Sequence, residues 1–372
     1  MDSKYYQNIP NSVLEYIKGL RKEKNYTFFP AHKGLTENGE NLALGFSCFG
    51  LKIYFMTGEW QQLPASDKVN WTEYINSFQI NKKNFPDNSF IDKALINSYK
   101  NLSLKQETKY FIKGSLNLLP NCNLNNKKIA INKAVNAETK QAVSSLYQVN
   151  AKNLKKIENR FKTENNLFDY LDSLDWTKPW TSGAQFSSLC VLTKTQGFNI
   201  ENSLEQYISK LSNSETGSYF SSYPASSREI INGAMKVISG LDWLGQKIHR
   251  PKELIDFCLD NKPVLEGCDI VDFTYVLYKC SQQSTHRRSE VNKLFITFLD
   301  EINKLYKKEE GGFSYFYRRS QTHYYGSRIT TGENISDIHG TTLCLWAILM
   351  ILDTLEIKDS NTYIIIKIFK HK

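Results

Sequence analysis

Residues 310–352 read EGGFSYFYRRSQTHYYGSRITTGENISDIHGTTLCLWAILMIL, and residues 215–244 read ETGSYFSSYPASSREIINGAMKVISGLDWL. Both run from an acidic residue through a Gly–Gly or Gly–Ser pair to an aromatic. A polar loop follows, then a segment rich in small and apolar residues. A supersecondary phrase used twice points to a repeat architecture, because one such unit cannot bury its own apolar face and must lean on copies of itself.

Working outward, the apolar segments recur. They open as GFSCFGLKIYF from 45, ETKQAVSSLYQV from 138, GAQFSSLCVLT from 183, INGAMKVISGL from 231, DFTYVLYKC from 272 and IHGTTLCLWAILMIL from 338. Set in register on Ser47, Thr139, Gln185, Asn232, Asp272 and His339, the last four steps are 46, 47, 40 and 67 residues. Helical-hairpin repeats take about 40–47 residues. The loop HYYGSRITTGENISD accounts for the longest of these steps, and the first gap, 92 residues, has room for one more unit. Amphipathic stretches such as VNKLFITFLDEINKLY lie between the apolar segments and suit an outer layer. Val13, Leu14, Ile17 and Leu20 mark one face of a first helix, and Pro30 ends any continuation. Strand signals are sparse. The reading is an all-α chain forming a single domain over 1–372, an (α/α)5-6 toroid of helical hairpins around a central cavity. Residues 105–135, rich in Asn and Lys, read as a loop or irregular outer segment, or a short outer helix. Small residues on the inner helices favour a closed toroid over an open solenoid, because they allow close convergence on an axis.

The 372 residues are 41% hydrophobic and 23% charged, a globular composition. A formal charge of +9 suits an anionic ligand as well as an ordinary solvated Lys surface. The Lys residues are scattered and form no nucleic-acid arm, so no nucleic-acid partner is expected. Seven Cys with no CxxC pair, most in apolar stretches, read as reduced thiols. The first twenty residues have no signal-peptide core, and LCLWAILMIL is too short for the roughly 20 residues of a membrane span. These features predict a soluble, cytoplasmic protein with no transmembrane segment. The terminal YIIIKIFKHK reads as a last strand or packed end.

The Gly-aromatic phrase, GluGlyGlyPheSer at 310–314 and ThrGlySerTyrPhe at 216–220, resembles the repeat of the terpene cyclase and protein prenyltransferase toroids. The likeness is strongest over residues 180–355. It implies the toroid fold and a central cavity for an isoprenoid or lipid-like, possibly anionic substrate. The cyclase acid motif DxDD is absent; the nearest text is SDIHGT at 336–341. Cys268, Asp269, Asp272 and His339 supply zinc-ligand types, but no ordered local motif joins them, and no cofactor is expected.

Equivalent positions of inner helices converge at one mouth of a toroid, where helix N-termini favour anions. That places Gln185, Asn232, Asp272 and His339 around a pocket, unless they simply cap their helices. His339 and Asp272 are candidate acid or base groups, with Asp337 beside His339. Tyr324, Tyr325 and Arg328 of the HYYGSR loop offer phenols and a cation. Trp176 and Trp180 offer stacking faces for a sugar ring or an isoprenoid chain, or pack between helices. His32 and Lys33 form a further polar loop without phosphate-loop spacing. Three functions compete. One is a toroidal lyase, isomerase or transferase acting on an isoprenoid or lipid-like substrate. Another is a carbohydrate-active enzyme of polyuronate lyase or epimerase type using His/Tyr acid–base chemistry on a glycan. The last is a non-catalytic scaffold.

Overall fold

The structure, a computed structural model, describes residues 3–22, 26–100, 102, 104–116, 126–224 and 226–357. The YIIIKIFKHK tail and Cys122 lie outside the described residues.

The described chain is all-α. It opens with α1 (Ser3–Leu20), α2 (Glu37–Asn41), α3 (Leu44–Met56), α4 (Glu59–Gln62) and α5 (Ala65–Asn76). Then come α6 (Lys93–Ser98), α7 (Leu104–Leu116), α8 (Lys127–Gln148), α9 (Glu164–Asp172) and α10 (Pro179–Gln196). The rest is α11 (Glu201–Lys210), α12 (Ser227–Leu244), α13 (Pro251–Asp260), α14 (Cys268–Gln283), α15 (Arg288–Asn303) and α16 (Ile338–Thr354). Two antiparallel hairpins of two-residue strands separate the last two helices: β1 (Tyr306–Lys307) with β2 (Gly312–Phe313), and β3 (His323–Tyr324) with β4 (Ser327–Arg328). Residues 105–135 are not irregular where described; they carry most of α7 and the start of α8, while 117–125 lie outside the described residues.

Six helices match the apolar segments of the sequence. They pack in chain order, α3 on α8, α8 on α10, α10 on α12, α12 on α14 and α14 on α16, and α16 returns to α3. The cycle of contacts is closed. Neighbours run parallel, because their contacting pairs climb together. Asn136 meets Gln185 and Lys140 meets Ser187 between α8 and α10. Lys236 meets Asp272 and Asp242 meets Tyr275 between α12 and α14. Tyr275 meets Trp346 and Tyr278 meets Asp353 between α14 and α16. The tightest pair is α10 with α12, where small residues bring the backbones together; a Cβ on Gly233 would stand 2.5 Å from Pro179.

The remaining long helices are amphipathic, as an outer layer requires. Leu167 and Leu171 of α9, Leu204 and Ile208 of α11, and Leu254, Ile255 and Cys258 of α13 are their buried stripes. Helix α1 packs on α3, α16 and β2, across the point where the cycle closes.

The Gly-aromatic phrase has one backbone form. A bridge joins Ser212 to Tyr219 after α11, and β1–β2 pairs Tyr306 with Phe313 after α15. In each case the residue after the aromatic donates its N–H to the residue before the partner: Phe220 to Leu211, Ser314 to Leu305. The same form occurs twice more. Arg21 bridges Phe28 after α1, and Gln79 bridges Phe90 after α5, with Phe29 donating to Leu20 and Ile91 to Phe78. All four aromatics, Phe28, Phe90, Tyr219 and Phe313, are fully buried.

Candidate functional site

Helix α3 buries every residue from Leu44 to Met56 except one, Lys52. Its neighbours carry the same oddity: Lys140 sits on α8 and Lys236 on α12, each the cation of a largely buried stretch. All three keep some accessible surface yet are desolvated by the surrounding protein. Lys140 Nζ donates to Ser187 Oγ at 2.7 Å, and Ser187 Oγ lies 2.9 Å from Ser239 Oγ of α12. Lys236 Nζ is 3.0 Å from Asp272 Oδ1. Among the described residues the Lys52 amine has no hydrogen bond or ion pair.

The three ammonium groups sense one another. Burial, then the charges of Lys236 and Lys52, pushes Lys140 down to about 7. Burial also lowers Lys52. Burial alone would lower Lys236, but the Asp272 carboxylate overrides it and holds Lys236 up. Asp272 itself is wholly buried; desolvation raises it against the pull of Lys236, and its Oδ2 has no partner.

His339, in the first turn of α16, stacks on Phe49 of α3 with ring centroids 4.5 Å apart, and its other neighbour is Tyr315 at 5.0 Å. Its Nδ1 is buried and unpartnered. Burial, then Lys52 and Lys236, lowers the imidazole to about 3, so it is neutral at physiological pH. The Tyr315 hydroxyl lies 3.1 Å from Cys268 Sγ, at the start of α14.

Glu138 of α8 is 1% exposed, and neither carboxyl oxygen has a hydrogen-bond partner. Burial, then the charge of Asp92, raises it well above the carboxylate range, while the nearby Tyr324 hydroxyl pulls the other way. Burial thus favours the protonated form of Glu138. Tyr324 packs its ring on Phe46 and Phe49 and points its hydroxyl to Gln141 Oε1 at 3.4 Å. Tyr325, at the tip of the β3–β4 hairpin with φ 44°, is 38% exposed, and surrounding protein and then Glu138 raise its phenol.

The structure sorts the residues predicted from sequence. His339 and Asp272 flank the lysines, and Tyr324 and Tyr325 adjoin Glu138. Asn232 does not share the level of Asp272. It donates to Asp269 Oδ1 at 2.7 Å, and Lys236, one turn later, is the residue opposite Asp272. The phase set on the first polar residue of each helix slips by a turn at α12. Ser47 and Thr139 face outward: Ser47 accepts the Trp71 indole N–H and Thr139 the Phe90 backbone N–H. Gln185 is buried against Asn136. Asp337 is the N-cap of α16, and its carboxyl accepts backbone N–H groups from Gly340, Tyr315 and Gln321, so it ties a loop to a helix end. Trp176 is core, its indole bonded to the Leu171 carbonyl. Arg328 is exposed on β4, in the Tyr324–Tyr325 hairpin, and His32 is exposed in the loop after α1.

Trp180 stands beside a second feature, with the Arg228 guanidinium 5.0 Å over its ring. Arg228 and Asn232 both bond to Asp269 in the wall of a cleft of about 320 Å³, which Asn261 and Val264 also line. The four zinc-ligand types do not converge. Cys268 is bonded to Tyr315, Asp269 to Arg228 and Asp272 to Lys236, and among the described residues no three His, Cys, Asp or Glu side chains are placed to hold a metal.

Sequence reasoning missed Lys52, Lys140, Lys236 and Glu138. Their signal was present: single Lys or Glu residues inside GLKIYF, AETKQA and GAMKVI, segments otherwise apolar or small. Also among the described residues, no helix is long and apolar enough to cross a membrane. No family model, no curated protein and no solved structure matches this chain.

Proposed function

We propose that the closed cycle of helices is an (α/α)6 toroid, and that the protein is a toroidal enzyme. In this reading it binds a polar, anionic small molecule on its axis and acts by acid–base chemistry. One observation carries the proposal. Five inner helices each turn a titratable side chain inward: Lys52, Glu138 with Lys140, Lys236, Asp272 and His339. Several of their polar atoms have no partner. A chain selected only for a stable core would hold apolar groups there, since unpaired buried polar atoms cost free energy; clustered perturbed groups mark functional sites.

The arrangement favours the lyase or epimerase reading, on a carboxylated substrate such as a polyuronate. The lysines would neutralise the substrate carboxylate and so acidify its α-proton. His339 has an unpartnered ring nitrogen that would receive that proton, and Glu138, held by burial toward its protonated form, would give one. A second reading, an isoprenoid diphosphate, is favoured by the aromatic wall of Phe49, Tyr315 and Tyr324 beside the same cations. Incubation with oligouronates, followed by detection of unsaturated or epimerised products, tests the first. Thermal shift and turnover with farnesyl diphosphate test the second. Absence of any product or shift with both would leave the scaffold reading.

A further inference from the structure

The three inner lysines come from three helices, α3, α8 and α12, and face a common interior. Their hydrogen bonds leave most of their donors unused. Lys236 holds Asp272, Lys140 holds one serine hydroxyl, and Lys52 has no hydrogen-bonding partner among the described residues. Only one acid is paired with them. Asp269 is committed to Arg228 and Asn232, and Glu138 lies beside Tyr324, with no lysine among its neighbouring charges. With all three amines protonated, one carboxylate would face three cations, and burial disfavours that state at Lys52 and Lys140 in the free protein; a bound anion would restore it. A Lys ammonium has three donors and no acceptor, so neighbouring lysines cannot satisfy one another. The missing complement is an acceptor carrying about two negative charges.

We propose that Lys52, Lys140 and Lys236 form a binding site for a small dianionic group, a phosphoryl, diphosphate or dicarboxylate, on the inner face of the helical cycle. This deepens the axial-site reading above and names the substrate feature that the site would grip. Ser187 and Ser239, hydrogen-bonded to each other beside Lys140, add hydroxyl donors to the same wall. Asp272 fixes Lys236 in place.

The test is calorimetric titration of the full chain with inorganic phosphate, diphosphate and malonate at constant ionic strength, with chloride as the reference. Saturable binding of at least one dianion is expected, and the arms distinguish phosphoryl from carboxylate. K52M and K140M should each weaken it by about tenfold or more, the loss of one charge-assisted contact. Both variants should keep or raise the Tm of the free protein, since each removes a desolvated, underpaired charge. That rise separates loss of a ligand from loss of the fold. No saturable binding by the wild type, or binding undiminished in both variants, overturns the proposal. Dianion binding without turnover of any uronate or isoprenoid would instead overturn the enzyme reading and leave this site standing.

Discussion

Burial shifts Glu138 and His339 each toward its neutral form, and the two make opposite predictions for pH. The folded pKa of Glu138 is raised. Its contribution to stability is therefore complete below the ordinary carboxylate range and is lost as pH rises through the folded value. E138Q should remove that loss, so that urea midpoints of variant and wild type diverge in the variant's favour from pH 5 to pH 8. His339 is depressed to about 3 from 6.5. Its contribution is complete above 6.5 and falls away as the solution is acidified toward 3. H339Q should flatten the acid limb of the stability profile while leaving the alkaline limb unchanged. Parallel profiles for wild type and variant would contradict either assignment. The register of polar residues selected His339 but not Glu138, and it selected Asn232 where the residue paired with Asp272 is Lys236. A register read on sequence assumes that each helix starts its inner face at the same residue. In α12 the residue that meets Asp272 lies one turn after Asn232.

The Gly-aromatic turn is the element that was most readable, and it was under-counted. The copies at 215–220 and 310–314 have the glycines that make the phrase visible. Those at Phe28 and Phe90 make the same bridge and the same hydrogen bond from other residues, so only the backbone reveals them. The glycine is needed where the turn is crowded. Gly217 has φ 71°, and a Cβ there would stand 2.6 Å from the Arg250 carbonyl oxygen, whereas Gly245 has φ 70° and open space around it. G245A should cost about 1–2 kcal/mol, the strain of a left-handed L-residue. G217A should cost clearly more, because the clash with α13 adds to the same strain. Equal Tm losses would mean that the Arg250 backbone yields freely. F90A empties a fully buried site and should cost about 3–5 kcal/mol. Inner and outer helices were separable by pattern alone, since α3 and α16 are apolar all round and α9, α11 and α13 are striped. Helix α7 escaped because it has no buried residue to set a period.

At the scale of the molecule, the closed cycle depends on a seam. Helix α1 lies across the junction of α16 with α3, and the Thr36 hydroxyl donates to the Arg328 carbonyl oxygen across 292 residues of chain. Removal of residues 1–20 should loosen that junction first. Hydrogen exchange should rise in α3 and α16 while α10 and α12, far from the seam, keep their protection. Uniform loss of protection would show that the cycle has no weakest joint. The all-α class and the alternation of layers could be read from the chain. Closure was favoured only indirectly, through the small residues of the inner helices, because no local pattern records whether the last inner helix reaches the first. The seam also has a consequence for biosynthesis. A ribosome delivers α3 long before α16, so the apolar flank of α3 waits through most of translation without its partner. Nascent chains should stay protease-sensitive and chaperone-bound until the segment around 338–354 emerges, and refolding from denaturant should show its slowest phase in signals from the α3–α16 junction.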